Sequence, residues 1–385
     1  MDGALAADAP QRPRAGERRP SGALRTDDVD PNYDIAQQPV ESWPLRKLHQ
    51  AAFASRTLLD LGRPRHLLLF GNALGDDLLC TVPLRELRAR GERGLWMMST
   101  HPRLFDGNAD VDAVVPWDGR YHALAERLGA RISVPHYAAY DFQRDLSVVP
   151  ERHILALMCQ QCGVSGPVTL RPYLHLTETE RLKGRLAKRQ IAIHSSGLAA
   201  RWAMVTKEWF PERFQAVVDA LGDECTFVQI GSAKDPPLDG CLDFRGQLSV
   251  RESAAVLSQS LLFVGQVGFL MHLARAVETR AVIVYGGRET PAQSGYVCNE
   301  NVATAPPCGP CWRWRTCDFD RVCMRQIEAD QVVEAARRAL ERGDGPLEAE
   351  VVEVPPAVVP RQRSFWTLEE SADPNAPPRR LPVRQ

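Results

Sequence analysis

Short apolar runs alternate with longer amphipathic stretches along most of this chain. The short runs are bounded by glycine, proline or polar residues and are too brief to be helices, so they predict strands. We predict these strands at residues 66–70, 94–99, 112–117, 131–134, 190–194, 225–231, 261–265 and 281–287.

The stretches between the strands have the apolar spacing of helices. A helix over 75–91 contains Pro83, which must kink it or lie at the start of its regular part. The helix over 175–189 begins with a capping box of Thr177 and Glu180. Further helices are predicted at 120–128, 151–163, 211–222, 249–259, 271–277 and 327–343.

Strands that alternate with helices indicate parallel sheets covered on both faces. We therefore predict an α/β fold with two doubly wound domains, residues 63–170 and 171–345, the second with a cysteine-rich loop at 306–324. Ligands of such domains bind outside the carboxyl ends of the strands, so two facing domains should form a cleft. The Arg- and Pro-rich residues 1–62 and the Pro-rich residues 346–385 are predicted to be tails without structure.

Charge and hydropathy argue against three classes of protein: nucleic-acid binders, membrane-spanning proteins and secreted proteins. The 385 residues carry 47 Lys plus Arg against 48 Asp plus Glu, a formal net charge of -1, which argues against a nucleic-acid binder. No apolar run reaches the length of a membrane-spanning helix, and the N-terminus lacks the apolar region of a signal peptide. We expect a cytoplasmic protein. Its basic N-terminus suggests contact with the inner membrane face, although a solvated tail is the favoured interpretation.

The first candidate site is GNALGDD, which directly follows the strand at 66–70. Its Gly71 and Gly75 are spaced differently from the dinucleotide fingerprint G-x-G-x-x-G. Asp76 at a strand's carboxyl end is a candidate general base, and a simple helix-capping role is about equally favoured.

Two further strand ends carry groups suited to an anion. Ser195, Ser196 and Gly197 offer hydroxyl and N–H donors, and Lys207 and Arg201 follow them. Taken alone, this segment is more often an ordinary turn with solvated cations. Gly268 precedes a helix that opens at Met271 and His272, a second place for a phosphate. A lone histidine is more often packed in the core than bound to a ligand.

Four of the ten cysteines lie within sixteen residues. Cys308 and Cys311 have the spacing of a metal knuckle, and Cys317 and Cys323 would complete four thiolates for Zn or Fe. The later spacings differ from those of common zinc fingers. A reduced or disulfide-linked structural loop is an equally supported interpretation, and a redox-sensing role is a minor one.

Five segments in order resemble glycosyltransferase family 9, the bacterial heptosyltransferase-like enzymes. GNALGDDLLCTVPLRELRARG is similar to the family's G-x-x-G-D-x-L-x-x-x-P-x-L-x-x-L segment. The other matches are IHSSG with KEWFPERFQAVV, GSAKD with FRGQLSVRESAAVLSQS, VGQVGFLMHLARAVETRAVIVYGG, and PCGPCWRWRTCDFDRVCMRQI. Together they span about residues 65–342.

The resemblance implies a GT-B architecture of two Rossmann-like domains around the active site. It implies an inverting, metal-independent transfer from a nucleotide-diphosphate sugar, with heptose as one candidate, to a glycan, lipid-linked or small-molecule acceptor. The family aspartate falls on Asp76, the expected base. The donor would be bound by Ser195, Ser196, Gly197, Lys207, Gly231, Ser232, Asp235, Gly268, Met271 and His272. No cofactor would be required for catalysis.

Three departures from the family pattern leave other functions open. Val267 stands where the family has aspartate, Phe269 replaces a glycine, and Glu208 stands where a basic residue is usual. A catalytically degenerate protein that binds nucleotides or sugars is therefore the alternative. A nicotinamide-dependent oxidoreductase is suggested by the α/β plan alone.

Overall fold

The computed structural model describes residues 43–70, 73–141, 144–200, 202–343 and 345–357, with backbone alone for 43–47. Residues 1–53 and 54–385 are separate units, and the second contains both large sheets. Gly71, Arg201 and most of both predicted tails lie outside the described residues.

The first half of the fold surrounds a small parallel sheet. Its elements are α1 (Trp43–Leu61), β1 (His66–Leu69), α2 (Leu74–Leu79), α3 (Thr81–Ala89), β2 (Leu95–Met98), β3 (Ala113–Val115), α4 (Gly119–Arg127), β4 (Arg131–Ser133), β5 (Tyr140–Asp141), β6 (Leu146–Ser147), α5 (Ile154–Gln161) and β7 (Gly166–Thr169). The sheet order is β3-β2-β1-β4, and β5 and β6 form a separate hairpin.

The second half surrounds a larger parallel sheet. Its elements are α6 (Glu178–Lys183), β8 (Gln190–Ile193), α7 (Pro211–Leu221), β9 (Thr226–Gln229), β10 (Leu242–Asp243), α8 (Val250–Ser258), β11 (Leu262–Gln266), α9 (Phe269–Ala276), β12 (Ala281–Tyr285), α10 (Pro291–Ser294), β13 (Glu300–Ala303), α11 (Val322–Arg325), α12 (Ala329–Glu341) and β14 (Val351–Val354). The sheet order is β10-β9-β8-β11-β12-β13, with all neighbours parallel.

These sheets confirm the predicted α/β class with parallel sheets. The central strands β1, β2, β8, β11 and β12 are buried along their whole length, as expected for parallel strands covered on both faces. The order of the larger sheet is the 3-2-1-4-5-6 order of a dinucleotide-binding fold. Both sheets lie within the boundaries predicted for the two domains.

Three predictions of local structure need correction. The sequence predicts an unstructured tail for residues 43–61, but they form α1. It predicts a second tail that includes residues 351–354, but these form β14, which pairs antiparallel with β7. The single helix predicted over 75–91 is two helices separated at Cys80.

The break between α2 and α3 has a local cause. Pro83 lacks an N–H, and its ring conflicts with the carbonyl four residues earlier, that of Leu79, where α2 ends. The Thr81 hydroxyl donates to the Leu78 carbonyl at 2.7 Å and satisfies one carbonyl at this end. The capping box of Thr177 and Glu180 is present as predicted, although α6 is shorter than the predicted helix.

Among the described residues, no helix combines the length and apolar character needed to cross a bilayer. One apolar core runs from Leu68 and Leu78 of the first half to Met271 and Leu273 of the second. The two halves are therefore joined by continuous packing, and α2 packs directly against α9.

Candidate active site

The loops that carry the predicted site residues follow the carboxyl ends of central strands in both sheets. In the larger sheet the order reverses direction between β8 and β11, and ligands bind at such switch points. The segment 195–197 follows β8, and Gly268 follows β11. In the smaller sheet, β1 leads to α2, which carries Asp76 and packs on the helix that begins after Gly268.

Asp76 is half-buried in the first turn of α2. The Tyr137 hydroxyl donates to Asp76 Oδ1 at 3.1 Å. Burial raises the pKa of Asp76 to about 7, with a smaller increase from Asp77, while the Tyr137 hydrogen bond and the Lys207 charge lower it. A carboxylate with this pKa can take up or release a proton near neutral pH. The residue at the helix N-cap is Ala73, with no side-chain hydrogen bond, so Asp76 is not the cap.

The neighbouring Asp77 faces the other way. Its side chain is fully buried, and its Oδ2 accepts hydrogen bonds from the Ser99 hydroxyl at 2.6 Å and from His101 Nδ1 at 2.8 Å. These partners follow β2, so Asp77 ties α2 to the first sheet. Of the two aspartates, Asp76 is the one whose pKa is influenced by Lys207 of the second half.

Lys207 lies in a buried cluster of charges. Its Nζ is 2.6 Å from Glu289 Oε1, and Arg288 contacts the same carboxylate at 2.8 Å. Burial alone would raise the pKa of Glu289, but Lys207 and Arg288 lower it to about 2. Burial lowers the pKa of Lys207, and Glu289 opposes that effect. The ammonium group therefore brings positive charge to the same region as Asp76.

His272 lies on α9 and is buried. Its Nδ1 is 2.7 Å from the Tyr296 hydroxyl. Burial lowers the pKa of His272 to about 3; the charge of Glu289 opposes this shift, and Lys207 adds a smaller decrease. The ring is neutral at pH 7 and can act as a hydrogen-bond donor through one nitrogen. A Cβ added at Gly268 would meet no atom within 4 Å, so the chain before α9 faces open space.

The turn after β8 is already bonded to an internal carboxylate. The Ser196 hydroxyl donates to Glu208 Oε2 at 2.9 Å, and the Gly197 N–H donates to Glu208 Oε1 at 2.7 Å. Ser195 is fully buried, with its hydroxyl donating to the Pro236 carbonyl at 2.8 Å. The Ser195 hydroxyl is therefore bonded inside the fold, and its contact with a diphosphate stays a prediction.

Other residues predicted to bind the sugar donor also make contacts within the protein. Met271 is fully buried, and its sulfur accepts a hydrogen bond from the Tyr285 hydroxyl at 3.2 Å. Its side chain therefore faces the protein core. The Asp235 carboxylate accepts the Ser232 N–H at 2.7 Å and lies 3.3 Å from His194 Nε2. Gly231 allows this turn, because a Cβ there would lie 2.3 Å from Asp235 Oδ2.

The cysteine-rich loop is held against the first half by Asp145. This buried carboxylate accepts the backbone N–H groups of Trp314 at 2.9 Å, Arg315 at 3.0 Å and Thr316 at 2.6 Å. The Thr316 and Tyr140 hydroxyls also donate to it. Burial raises the pKa of Asp145, but these hydrogen bonds outweigh burial and hold it well below its ordinary value. The Asp145 carboxylate thus links this loop to the β5–β6 hairpin of the first half.

The four clustered cysteines line one cavity of about 130 Å³ together with Arg288, Arg313 and Arg321. All four are free thiols. In the described part of the chain, no group of three or more His, Cys, Asp or Glu side chains is arranged to hold a metal ion. As placed, the four thiols are neighbours of one cavity and do not form a metal centre, so the Zn or Fe site stays a prediction.

Sequence reasoning missed three residues around Asp76 and His272. Tyr137 lies in a loop without periodic pattern, and no sequence signal identified it. Tyr296 likewise follows α10 without a motif that would single it out. Glu289 follows β12 at the carboxyl end of the strand, and this position could have identified it as a site residue.

Solved glycosyltransferases share this architecture. E. coli ADP-heptose LPS heptosyltransferase II matches with a TM-score of 0.55 and 15% identity, covering 72% of this chain and 99% of that one. A glycosyl transferase family 9 protein from Veillonella parvula matches with a TM-score of 0.53 and 15% identity, covering 72% and 98%. The iron-containing dodecameric glycosyltransferase TibC from enterotoxigenic E. coli matches with a TM-score of 0.53 and 17% identity, covering 73% and 77%.

These similarities establish the fold. No protein-family model and no curated protein sequence matches the chain. The structural matches nevertheless confirm the GT-B architecture of two Rossmann-like halves implied by the sequence resemblance. At such low identity they say nothing about which substrates this chain uses.

Proposed function

We propose that this protein is a glycosyltransferase that moves a sugar from a nucleotide-diphosphate donor to an acceptor hydroxyl, with inversion at the anomeric carbon. The observation that carries the proposal is Asp76, a half-buried carboxylate with a pKa raised to about 7 that interacts electrostatically with Lys207 of the other half. The likeness to heptosyltransferase structures supports it, and heptose is one candidate sugar.

Asp76 acts as the general base in this proposal. Its ionised form takes the proton from the acceptor hydroxyl, and the oxygen forms a bond to the anomeric carbon. The bond from that carbon to the diphosphate oxygen breaks, and its electron pair leaves with the diphosphate. Attack from the side opposite the leaving group inverts the anomeric configuration. A base with a pKa near the working pH is suited to this step.

Lys207, His272 and the chain at Gly268 act on the leaving group. The Lys207 ammonium stabilises charge that develops on the diphosphate, and neutral His272 donates a hydrogen bond. Because these groups supply the stabilisation, we propose that transfer requires no divalent ion.

The direct test is a transfer assay over a panel of nucleotide-diphosphate sugars with glycan, lipid-linked and small-molecule acceptors. We expect at least one pair to release nucleoside diphosphate, at an unchanged rate in EDTA, with an inverted anomeric centre by NMR. Asp76→Asn should lower the rate by at least about 100-fold, the usual contribution of a general base. Release at the normal rate in Asp76→Asn would contradict the role given to Asp76.

A catalytically degenerate nucleotide- or sugar-binding protein is the second candidate. Two observations favour it. The Glu208 carboxylate accepts the hydrogen bonds of the Ser196 hydroxyl and the Gly197 N–H. Val267, directly after β11, is a buried apolar residue where the family pattern has aspartate. This candidate predicts saturable binding of a nucleotide sugar without transfer to any acceptor. Any product in the transfer assay would eliminate it.

A further inference from the structure

The side chain of Glu208 reaches the turn after β8, where a phosphate of the donor would be expected. Its side chain is buried, and three donors converge on its carboxylate. They are the Gly197 N–H at 2.7 Å, the Ser196 hydroxyl at 2.9 Å and the Gln266 side-chain amide at 2.5 Å. A backbone N–H, a hydroxyl and an amide that point to one centre form an anion-binding site.

The surrounding chain holds each donor in place. The Ser196 oxygen accepts the Leu198 N–H at 3.1 Å, so its own hydrogen is directed to Glu208. The Gln266 carbonyl oxygen accepts the Trp209 N–H at 3.0 Å, which turns the NH₂ group toward Glu208. The three donors are therefore a built site rather than chance contacts.

The position of this site also suits a donor. Ser196 and Gly197 follow β8 and Gln266 ends β11, which are the two strands at the switch point of the larger sheet. The neighbouring Lys207 is paired with a second internal carboxylate, Glu289. Both the neutral donors and this cation are thus bound to acids of the chain itself.

We propose that Glu208 is a specificity-determining residue that occupies a phosphate subsite of the donor site. Its carboxylate competes with the donor's diphosphate for Ser196, Gly197 and Gln266, and the donor must displace it. This inference rests on the proposed function, because it assigns the subsite to a nucleotide-diphosphate donor. It predicts that the wild-type protein binds free diphosphates weakly and that removal of the carboxylate opens the subsite.

The test uses inorganic pyrophosphate and ADP as probes, measured by calorimetry and by thermal shift. We expect Glu208→Ala to bind both at least tenfold more tightly than the wild-type protein, and its melting temperature to rise with added pyrophosphate. Glu208→Gln keeps the side-chain volume without the charge, and we expect a gain of at least threefold. Glu334→Ala, which removes an exposed glutamate of α12, is the matched control and should bind like the wild-type protein.

A second substitution locates the gained affinity. Adding Ser196→Ala to Glu208→Ala removes one of the three donors, so we expect pyrophosphate affinity to fall by at least threefold from that of the single variant. The inference is overturned if neither Glu208 variant binds pyrophosphate more tightly than the wild-type protein. If Glu208→Ala does not fold, Glu208→Gln decides the question by the same threefold criterion.

The outcomes separate this inference from the proposed function, because pyrophosphate carries neither sugar nor nucleoside. Tighter pyrophosphate binding in the Glu208 variants, with no nucleotide sugar bound or transferred by any variant, would support the anion subsite and reject its assignment to a sugar donor. Transfer by the wild-type protein without any gain in the Glu208 variants would support the function and overturn the role of Glu208.

Discussion

Replacing Asp76 with asparagine should stabilise the fold at alkaline pH while it lowers turnover by at least about 100-fold. The reason is that burial raises the pKa of Asp76 from an ordinary 3.8 to about 7, so the folded state holds its ionised form at a cost. At about 1.4 kcal/mol for each tenfold change in proton affinity, that cost is at most about 4 kcal/mol. Asp76 is only half-buried, and solvent screening halves the expected value to about 2 kcal/mol. Asparagine can still accept the Tyr137 hydrogen bond.

The sign of the pH dependence follows from proton linkage. Since the pKa is higher in the folded state, that state binds more protons than the unfolded chain between pH 3.8 and about 7. The stability of the wild-type protein relative to Asp76→Asn therefore falls as pH rises through this window. We expect a difference in the free energy of unfolding of about 1 kcal/mol at pH 5 and about 2 kcal/mol at pH 8.

Urea denaturation followed by tryptophan fluorescence at pH 5 and pH 8 measures this difference without knowledge of the substrate. Asp223→Asn, which changes an exposed aspartate, is the control and should show no pH-dependent difference. The argument would be refuted if Asp76→Asn were no more stable than the wild-type protein at pH 8, or if its advantage were the same at both pH values.

Three further outcomes are expected. Tyr137→Phe removes the hydrogen bond that lowers the pKa of Asp76. Because the pKa of Asp76 then rises, the rising limb of the pH–rate profile should move to higher pH. An unchanged limb would show that this hydrogen bond is not made in the working enzyme. Asp145→Ala leaves the N–H groups of residues 314–316 without their acceptor. We expect it to lower the free energy of unfolding, measured by urea denaturation, by about 3 kcal/mol. A loss below about 1 kcal/mol would contradict the anchoring role of Asp145. If the four clustered thiols bind Zn or Fe, elemental analysis should find about one ion per chain in the purified protein and none in Cys308→Ser; equal metal content in both would exclude the site.

The sequence predicts those features that depend on neighbouring residues. The predicted strands at 190–194 and 261–265 agree with β8 and β11 to within one residue, because short buried runs between turns have a clear signal. The capping box at Thr177 is equally local. By contrast, α1 was missed because many of its described side chains are exposed, Leu59 among them at 86%, so burial imposes no apolar pattern on it.

What the sequence could not supply are contacts between distant segments. The strand β14 pairs with β7 across nearly half of the chain, and its Val-Val-Glu-Val segment lies among prolines that suggest a tail. The donor side of the site depends on the same kind of contact. Ser196 and Glu208 are twelve residues apart, and only the fold shows that the acid occupies the turn. Residue types alone made Ser196 look available.

Binding of nucleotide-diphosphate sugars, measured by calorimetry across a panel, tests the central claim that the donor lies beside Lys207 and faces Asp76. We expect at least one such sugar to bind saturably to the wild-type protein, with similar affinity in Asp76→Asn and at least tenfold weaker affinity in Lys207→Met. The claim would be contradicted if no sugar of the panel bound, or if Lys207→Met bound the donor as tightly as the wild-type protein does.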